Sequence, residues 1–308
     1  MCKVSIIGAG NVGATAAQKI ASLNICEDVV LLDIKPGVAE GKAMDICQAG
    51  ILEEFDTNVI GVTNDYRFTA FSDIVVITSG VPRKPGMTRE DLIDVNSGIM
   101  KSVLSEVHKY SPDAIYVIVS NPMDVMTYFA YKYLKVPTTR VIGMGGLLDS
   151  ARFCYYIADK LNVSRSDVSA AVIGAHSDTG MVPLVSNAYY NDLLIETRLT
   201  KEEIEDVVVK TKNGGAILTG LLGTSAWEAP AAGITALVKA LLDKDSETYM
   251  CCSVYRKEYD VCIGSLVWID SNGINRIVPE KDLISYSENE AFAKSIKSVK
   301  ALNKKLSI

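Results

Sequence analysis

The sequence predicts an α/β chain: a Rossmann-type doubly wound parallel sheet over residues 1–145, followed by an α+β substrate domain over residues 146–308. Three observations carry this. A glycine-rich turn sits between a short strand and a helix near the N-terminus, with an acid at the tip of the next strand. Short β-branched strands then alternate with helical patterns as far as residue 143. Beyond residue 181 the alternation gives way to a capped helix, a glycine-rich bend and a hairpin.

Lys3–Ile7 is the first strand, and Gly8-Ala-Gly10-Asn11-Val12-Gly13 follows at once, leading into a helix over 14–23. The apolar strand 29–33 ends at Asp33, twenty residues beyond Gly13. Gly8 permits the tight turn, Gly10 lets the backbone approach a pyrophosphate, and Gly13 lets helix and strand pack closely. The helix N-terminus offers N–H donors to phosphate. Asp33 is placed to accept from an adenosine ribose, and its carboxylate repels a 2′-phosphate, which selects NAD over NADP. Gly8, Gly10, Asn11, Val12, Gly13 and Asp33 are therefore the first candidate cofactor contacts. The segment Gly37-Val-Ala-Glu-Gly41-Lys42-Ala43 superficially matches a phosphate loop. It has three residues between its glycines instead of four, and alanine in place of the magnesium-binding hydroxyl, so it reads as the start of a helix over 38–49.

Further strands are predicted at 58–62, 73–78, 114–119 and 140–143, with ligands expected at their carboxyl ends. After 73–78 comes SGVPRKPGMTR, whose prolines and glycines keep it out of the sheet as a mobile loop carrying Arg83, Lys84 and Arg89. One arginine can polarise a reacting oxygen while the other holds a distal anion. The next helix shows an apolar stripe of Leu92, Val95, Ile99, Val103 and Val107, with Asn96 beside it in reach of a cofactor and His108 off it in solvent. Strand 114–119 ends in Val119-Ser120-Asn121-Pro122; the proline stops the strand, and Asn121 presents an amide to both cofactor and substrate.

The densest chemistry lies between residues 148 and 181. Asp149 and Arg152 are three apart in a helical run and share a face. His176, one of two histidines in the chain, ends the apolar run 168–175, which reads as a strand delivering one side chain to a cleft. The carboxylate orients the imidazole, the imidazole moves a proton, and the guanidinium grips an anion. Farther on, Thr200 with Glu203 is a capping box opening a helix to about 212, interrupted by Gly214-Gly215. Residues 220–230 read as a bend in which Ser225 abuts a ligand, before a helix over 231–242. Asn272-Gly273 joins strands 263–269 and 274–278, and Ser287 with Glu290 caps the last helix.

At 308 residues, 48% apolar and 22% charged, the chain can bury a proper core, which excludes disorder. A net charge of −6 with interspersed signs and no basic block excludes nucleic acid as a partner. No secretory leader precedes the first strand, and the apolar runs fall far short of the ~20 residues of a membrane span. Seven cysteines without C-x-x-C spacing read as reduced core thiols, so the expected compartment is the cytoplasm.

Taken in order, Gly8 to Gly13, Asp33, PRKPGMTR, SNP, LDSAR and GAH-x-D resemble the malate dehydrogenases, on the branch similar to lactate dehydrogenases, over the whole chain. The resemblance implies reversible hydride transfer between (S)-malate and NAD. His176 is then the proton donor and acceptor with Asp149 its partner, and Arg152 binds the C1 carboxylate. Arg89 polarises the C2 oxygen, and Arg83 holds the second carboxylate where lactate dehydrogenases usually have glutamine. A small dicarboxylate as substrate and a homodimer or homotetramer are also implied. Two departures stand out: Ser177 follows the histidine where the family usually has glycine, and the loop to Pro183 is one residue longer. A positive φ at that position would strain Ser177. The competing readings are a lactate or other 2-hydroxyacid dehydrogenase, and a catalytically silent dinucleotide-binding protein.

Overall fold

The computed structural model describes residues 2–82 and 88–307. The first half runs β1 (Lys3–Ile7), α1 (Asn11–Ser22), β2 (Asp28–Asp33), α2 (Val38–Glu53), β3 (Asn58–Thr63), β4 (Ile74–Ile77), α3 (Arg89–Tyr110), β5 (Ile115–Ile118), α4 (Met123–Leu134) and β6 (Val141–Gly143). Its strands are parallel in the order β3-β2-β1-β4-β5-β6. The order of succession reverses between β1 and β4, which opens a crevice at their carboxyl ends.

The strands are apolar on both faces because both are covered. Val4, Ile6, Val29, Leu31, Ile74, Val76 and Val117 pack under α1 and α2 through Ala16, Ile20, Ala43 and Ile46. The alternate residues, Val30, Leu32, Val75, Ile77 and Ile118, meet α3 and α4 through Ile93, Met100, Leu104, Met126 and Phe129.

The second half continues with α5 (Gly145–Leu161), β7 (Val168–Ser169), β8 (Val172–Gly174), β9 (Met181–Pro183), β10 (Tyr189–Tyr190), β11 (Leu193–Leu194), α6 (Lys201–Leu222), α7 (Glu228–Leu242), β12 (Thr248–Arg256), β13 (Val261–Asp270), β14 (Gly273–Ile277) and α8 (Tyr286–Asn303). β12 pairs antiparallel with β6 at Ser253 and Gly143, and β13, β8 and β9 follow, so one sheet passes through both halves. α7 packs beside α1 on the face that α1 and α2 cover.

Several expectations need correction. The apolar run 168–175 is two short strands in different sheets: β7 pairs with β10, and β8 with β9 and β13. α6 does not stop near 212 but passes through Gly214-Gly215 to Leu222, and α7 starts at Glu228 instead of 231. The cap of α8 is Ser285 with Glu288, two residues earlier than Ser287 with Glu290. On α3, Leu92, Val103 and Val107 are buried as expected, joined by Ile93, Asn96, Met100 and Leu104, while Val95 is exposed. His108 is half-buried, its Nδ1 3.0 Å from the Tyr116 hydroxyl, and not free in solvent. Strand β12 has no counterpart among the strands expected from sequence.

Candidate active site

At the switch point, β1 delivers Gly8 with φ +113°, a left-handed conformation that an L side chain avoids; a Cβ there would also stand 2.7 Å from Thr78 Oγ1 and 2.9 Å from the Ser79 nitrogen. Gly13 lies in the first turn of α1, where a Cβ would meet the Gly8 carbonyl oxygen at 1.9 Å. These two glycines bring strand, turn and helix into contact. The N–H groups of Asn11, Val12 and Gly13 belong to that first turn and have no acceptor within the helix. Gly10 adds open space, since a Cβ there meets nothing within 4 Å.

Asp33 ends β2, and each of its oxygens accepts one backbone N–H: Oδ2 from Ala9 at 2.7 Å and Oδ1 from Lys35 at 2.9 Å. Each carboxylate oxygen keeps a further lone pair for a diol. A cavity of about 410 Å³ joins Gly8, Gly10, Asp33, Thr78, Ser79 and Val81. The Ser79 hydroxyl is buried there without a hydrogen-bond partner among the described residues. An acceptor-rich β2 tip, an unspent hydroxyl and a helix N-terminus facing one crevice suit the ribose and diphosphate of a dinucleotide.

The second group of candidates gathers around the start of α5. His176 lies two residues past β8, and its Nδ1 is 2.7 Å from Asp149 Oδ2, on α5. A carboxylate only accepts, so Nδ1 carries the proton and Nε2 is left as the exchangeable nitrogen. Arg152, one turn on, donates from Nη1 to Asp149 Oδ1 at 3.3 Å. Its stem runs beside α6, where a Cβ on Gly214 would stand 3.2 Å from Arg152 Cδ. The glycine pair therefore makes room for the arginine instead of breaking the helix. Arg152 Nε is buried with no partner among the described residues, so the guanidinium has donors left for an anion.

Burial by itself disfavours the imidazolium of His176, but the Asp149 carboxylate outweighs it by charge and hydrogen bond, and the pKa is raised above 6.5. The ring thereby holds its proton more readily than an unpaired imidazole. Asn121 and His176 line a common cavity of about 220 Å³ with Pro122 and Ser177. The strand end is held by Asn96, whose amide donates to the Asn121 carbonyl at 2.6 Å and brackets Val81 with bonds of 2.9 and 3.2 Å. Asn96 is 1% exposed, so it shapes the crevice wall from beneath. Val119, whose N–H donates to the Ile77 carbonyl at 3.0 Å, is buried in the apolar core just past β5 and is not in the lining of either cavity.

Ser177 is not among the positive-φ residues, so the expected strain is absent. Its carbonyl accepts from Gly180 and Met181, both at 3.0 Å, and this turn takes up the extra residue. Ser225 is exposed between α6 and α7. Arg83 lies outside the described residues, as does the side chain of Arg89, which opens α3.

Sequence reasoning missed Asp124 and Ser253. Asp124 Oδ2 accepts the backbone N–H of His176 at 2.7 Å, and Ser253 donates to Oδ1 at 2.6 Å. The one signal in the sequence was an acid in the first turn of α4, a helix otherwise apolar nearly throughout. A larger cavity of about 660 Å³, lined by Asp73, Tyr110 and Arg140, lies at the amino ends of the strands and contains none of these candidates.

Comparison with known proteins gives two adjoining family matches: lactate/malate dehydrogenase, NAD binding domain, over residues 2–143, and lactate/malate dehydrogenase, alpha/beta C-terminal domain, over 147–307. The malate dehydrogenase of Parabacteroides distasonis is 50% identical, covering 99% of this chain and 98% of its own. Among solved structures, the malate dehydrogenase of Cryptosporidium parvum is 38% identical with a TM-score of 0.93, covering 98% of each chain. The lactate dehydrogenase of Cryptosporidium parvum, solved with lactic acid and β-nicotinamide adenine dinucleotide, is 32% identical with a TM-score of 0.93, covering 98% of this chain and 97% of its own.

Proposed function

The chain belongs to the lactate/malate dehydrogenase family, and we propose that within it the protein is an NAD-dependent malate dehydrogenase interconverting (S)-malate and oxaloacetate. The observation that carries the reading is the His176–Asp149–Arg152 set beside Asn121, whose carbonyl Asn96 ties to Val81 in the wall of the cavity that suits a dinucleotide. Bound NAD supplies the hydride acceptor at its nicotinamide. In malate oxidation His176 Nε2 takes the hydroxyl proton, and Asp149 holds the resulting imidazolium in place. In the reverse direction the same nitrogen returns the proton to the carbonyl oxygen. Arg152 presents a planar fork to the C1 carboxylate, a match that lysine cannot make. Asn121 bonds a substrate oxygen and the cofactor.

Arg83 and Arg89 enter from the sequence. Arg89 polarises the C2 oxygen and Arg83 pairs with the second carboxylate, which separates a four-carbon diacid from lactate or pyruvate. Leaving a charged donor unpaired in a closed site costs about 3 kcal/mol, so oxaloacetate is preferred over pyruvate by roughly two orders of magnitude or more in kcat/KM. The test is NADH oxidation against oxaloacetate and pyruvate, with Arg83→Gln expected to narrow the gap. Equal turnover of both acids favours the lactate reading, and no turnover with either favours a silent dinucleotide binder. His176→Asn is expected to bind NADH and lose turnover; retained turnover removes the histidine from its role.

The reading divides the chain at 145/146 into an NAD-binding domain and a substrate domain, supported by the gap between the two family matches. It also takes Gly8, Gly10, Asn11, Val12, Gly13, Asp33, Asn96 and Val119 as cofactor contacts or their support, and Ser225 as a substrate neighbour. A homodimer or homotetramer is part of it, supported by Ile51 and Leu52 on α2 and Leu221 on α6, which are 83%, 86% and 79% exposed. Light scattering on the wild type and Ile51→Glu tests this, with a smaller particle expected for the variant. No helix among the described residues is long and apolar enough to cross a membrane. All seven cysteines are free, which supports a cytoplasmic location.

A further inference from the structure

Asp124 is a carboxylate deep in the protein that the proton transfer described above does not use. It is 5% exposed and stands in the first turn of α4, where the helix N-terminus favours a negative charge. Each oxygen has one partner: the His176 backbone N–H on Oδ2 and the Ser253 hydroxyl on Oδ1. Ser253 sits on β12 directly opposite Gly143 of β6, the one register pair that joins β6 to β12. Asp124 thus ties three separate elements together at the residue bearing the imidazole.

We propose that Asp124 is a positioning residue of the active site: its carboxyl group anchors the main chain of His176 and, when ionised beside Asp149, favours the protonated imidazole. The proposal rests on His176 being the proton carrier. Asp149 fixes the ring through Nδ1 and Asp124 fixes the backbone through N–H, so the imidazole is held from two sides by acceptors alone. Turning the ring away from its cleft breaks one bond, and shifting the chain beneath it breaks the other.

The groups around the imidazole decide the electrostatic part. From α5 come Asp149, which favours the imidazolium, and Arg152, which opposes it. From α4 comes Asp124, which favours it. From β12 comes Cys251, whose thiol is buried and held neutral well above its ordinary range. Asp178, two residues along the turn, is exposed. Burial, with the Asp149 charge adding to it, raises the Asp124 pKa above the ordinary carboxylate value, and the Ser253 and His176 donors and the His176 charge oppose this without reversing it. Ionised Asp124 and protonated His176 therefore stabilise one another, and neutralising either weakens the other.

The chain has only two histidines, so proton NMR of the enzyme–NADH complex resolves His176 with His108 as an internal reference. Asp124→Asn keeps an acceptor for the His176 N–H and a donor toward Ser253 while removing the charge. The His176 midpoint is expected to fall by about one pH unit in this variant, with His108 unmoved. The pH profile of kcat/KM for oxaloacetate reduction should move in step. Ser253→Ala, which strips one donor from the carboxylate, should move the midpoint the same way by less, and it supplies the reading if Asp124→Asn does not fold. A His176 midpoint unchanged from wild type in the folded variants overturns the proposal. A midpoint that moves while the rate profile stays fixed supports the contact and instead removes His176 from the reaction.

Discussion

Replacing Gly13 by alanine tests the phosphate-binding turn without touching the proton-transfer group. The added methyl would stand 1.9 Å from the Gly8 carbonyl oxygen and 2.9 Å from Thr78 Oγ1. Thr78 can swing its hydroxyl aside, although it now donates to the Gly8 carbonyl at 3.0 Å. The Gly8 oxygen cannot, because it is main chain in a turn with φ +113°. Restoring an ordinary contact of about 3.5 Å needs well over an ångström of movement between the turn and the start of α1. That displaces the N–H groups of Asn11, Val12 and Gly13 from the diphosphate. Losing one charge-assisted hydrogen bond of ~1.5–3 kcal/mol weakens NADH by about 10- to 150-fold. Fluorescence titration of NADH measures the affinity, and circular dichroism checks that the variant is folded. Turnover at saturating NADH should fall far less than affinity, since His176 and Asp149 are untouched. A folded Gly13→Ala protein with wild-type NADH affinity would refute the reasoning.

Asp149→Asn removes the charge facing His176 and leaves one acceptor oxygen for two donors, His176 Nδ1 and Arg152 Nη1; it should lower kcat/KM for oxaloacetate by about 10- to 150-fold, the scale of one charged hydrogen bond, measured by NADH oxidation. It should also flatten a pH dependence of stability: the raised His176 pKa contributes fully below 6.5 and is lost as pH rises through the folded-state value, visible in Tm against pH. Asp33→Ser should cost about tenfold or more in NADH affinity while narrowing the preference over NADPH, because the diol loses its charged acceptor and the 2′-phosphate loses a repulsive neighbour; unchanged selectivity in paired titrations would count against Asp33. Glu288 caps α8 and accepts from Ser186 and Ser285; burial opposes its charge, yet these donors hold its pKa below 4.5. Its contribution is present above 4.5 and lost as pH falls through the folded value, and Glu288→Gln should cost ~1–3 kcal/mol by urea unfolding at neutral pH but little in acid.

The first half of the fold was legible because its signals are local. A strand that ends in glycine, a helix that starts three residues later and an acid closing the next strand are read directly from spacing, and β1, α1 and β2 fall within a few residues of expectation. The second half depends on tertiary partners. Residues 168–175 look like one strand because periodicity cannot register that Ala170 and Ala171 turn the chain from one sheet into another. Gly214-Gly215 looks like a helix end because the sequence does not reveal that Arg152 lies across it. β12 was hidden because TYMCCSVYR lies between two other strands and shows no polar alternation to mark a face. His176, Asp149 and Arg152 could each be picked out by residue type and spacing. Asp124 showed only as an acid in the first turn of an apolar helix, where a capping role explains it as well, and its bond to the His176 backbone cannot be read from residue type or spacing.

That difference bears on how the site keeps its shape. The imidazole lies two residues past β8, a strand held by β9 along its three residues and by β13 at Gly174 and Gly264, so the ladders stop short of a group that must be placed to within half an ångström or so. The missing rigidity comes from side chains: Asp149 on α5 and Asp124 on α4, two helices packed against the same sheet, each contribute one bond of 2.7 Å. α4 starts at the carboxyl end of β5, immediately after Asn121-Pro122, so the element that presents Asn121 to the crevice also carries the carboxylate that holds His176. A displacement of the α4 N-terminus would therefore shift the amide and the imidazole together and preserve their spacing. The geometry that proton transfer requires is the relation between these groups, and the bond from Asp124 ties that relation to α4 as well as to the short strand.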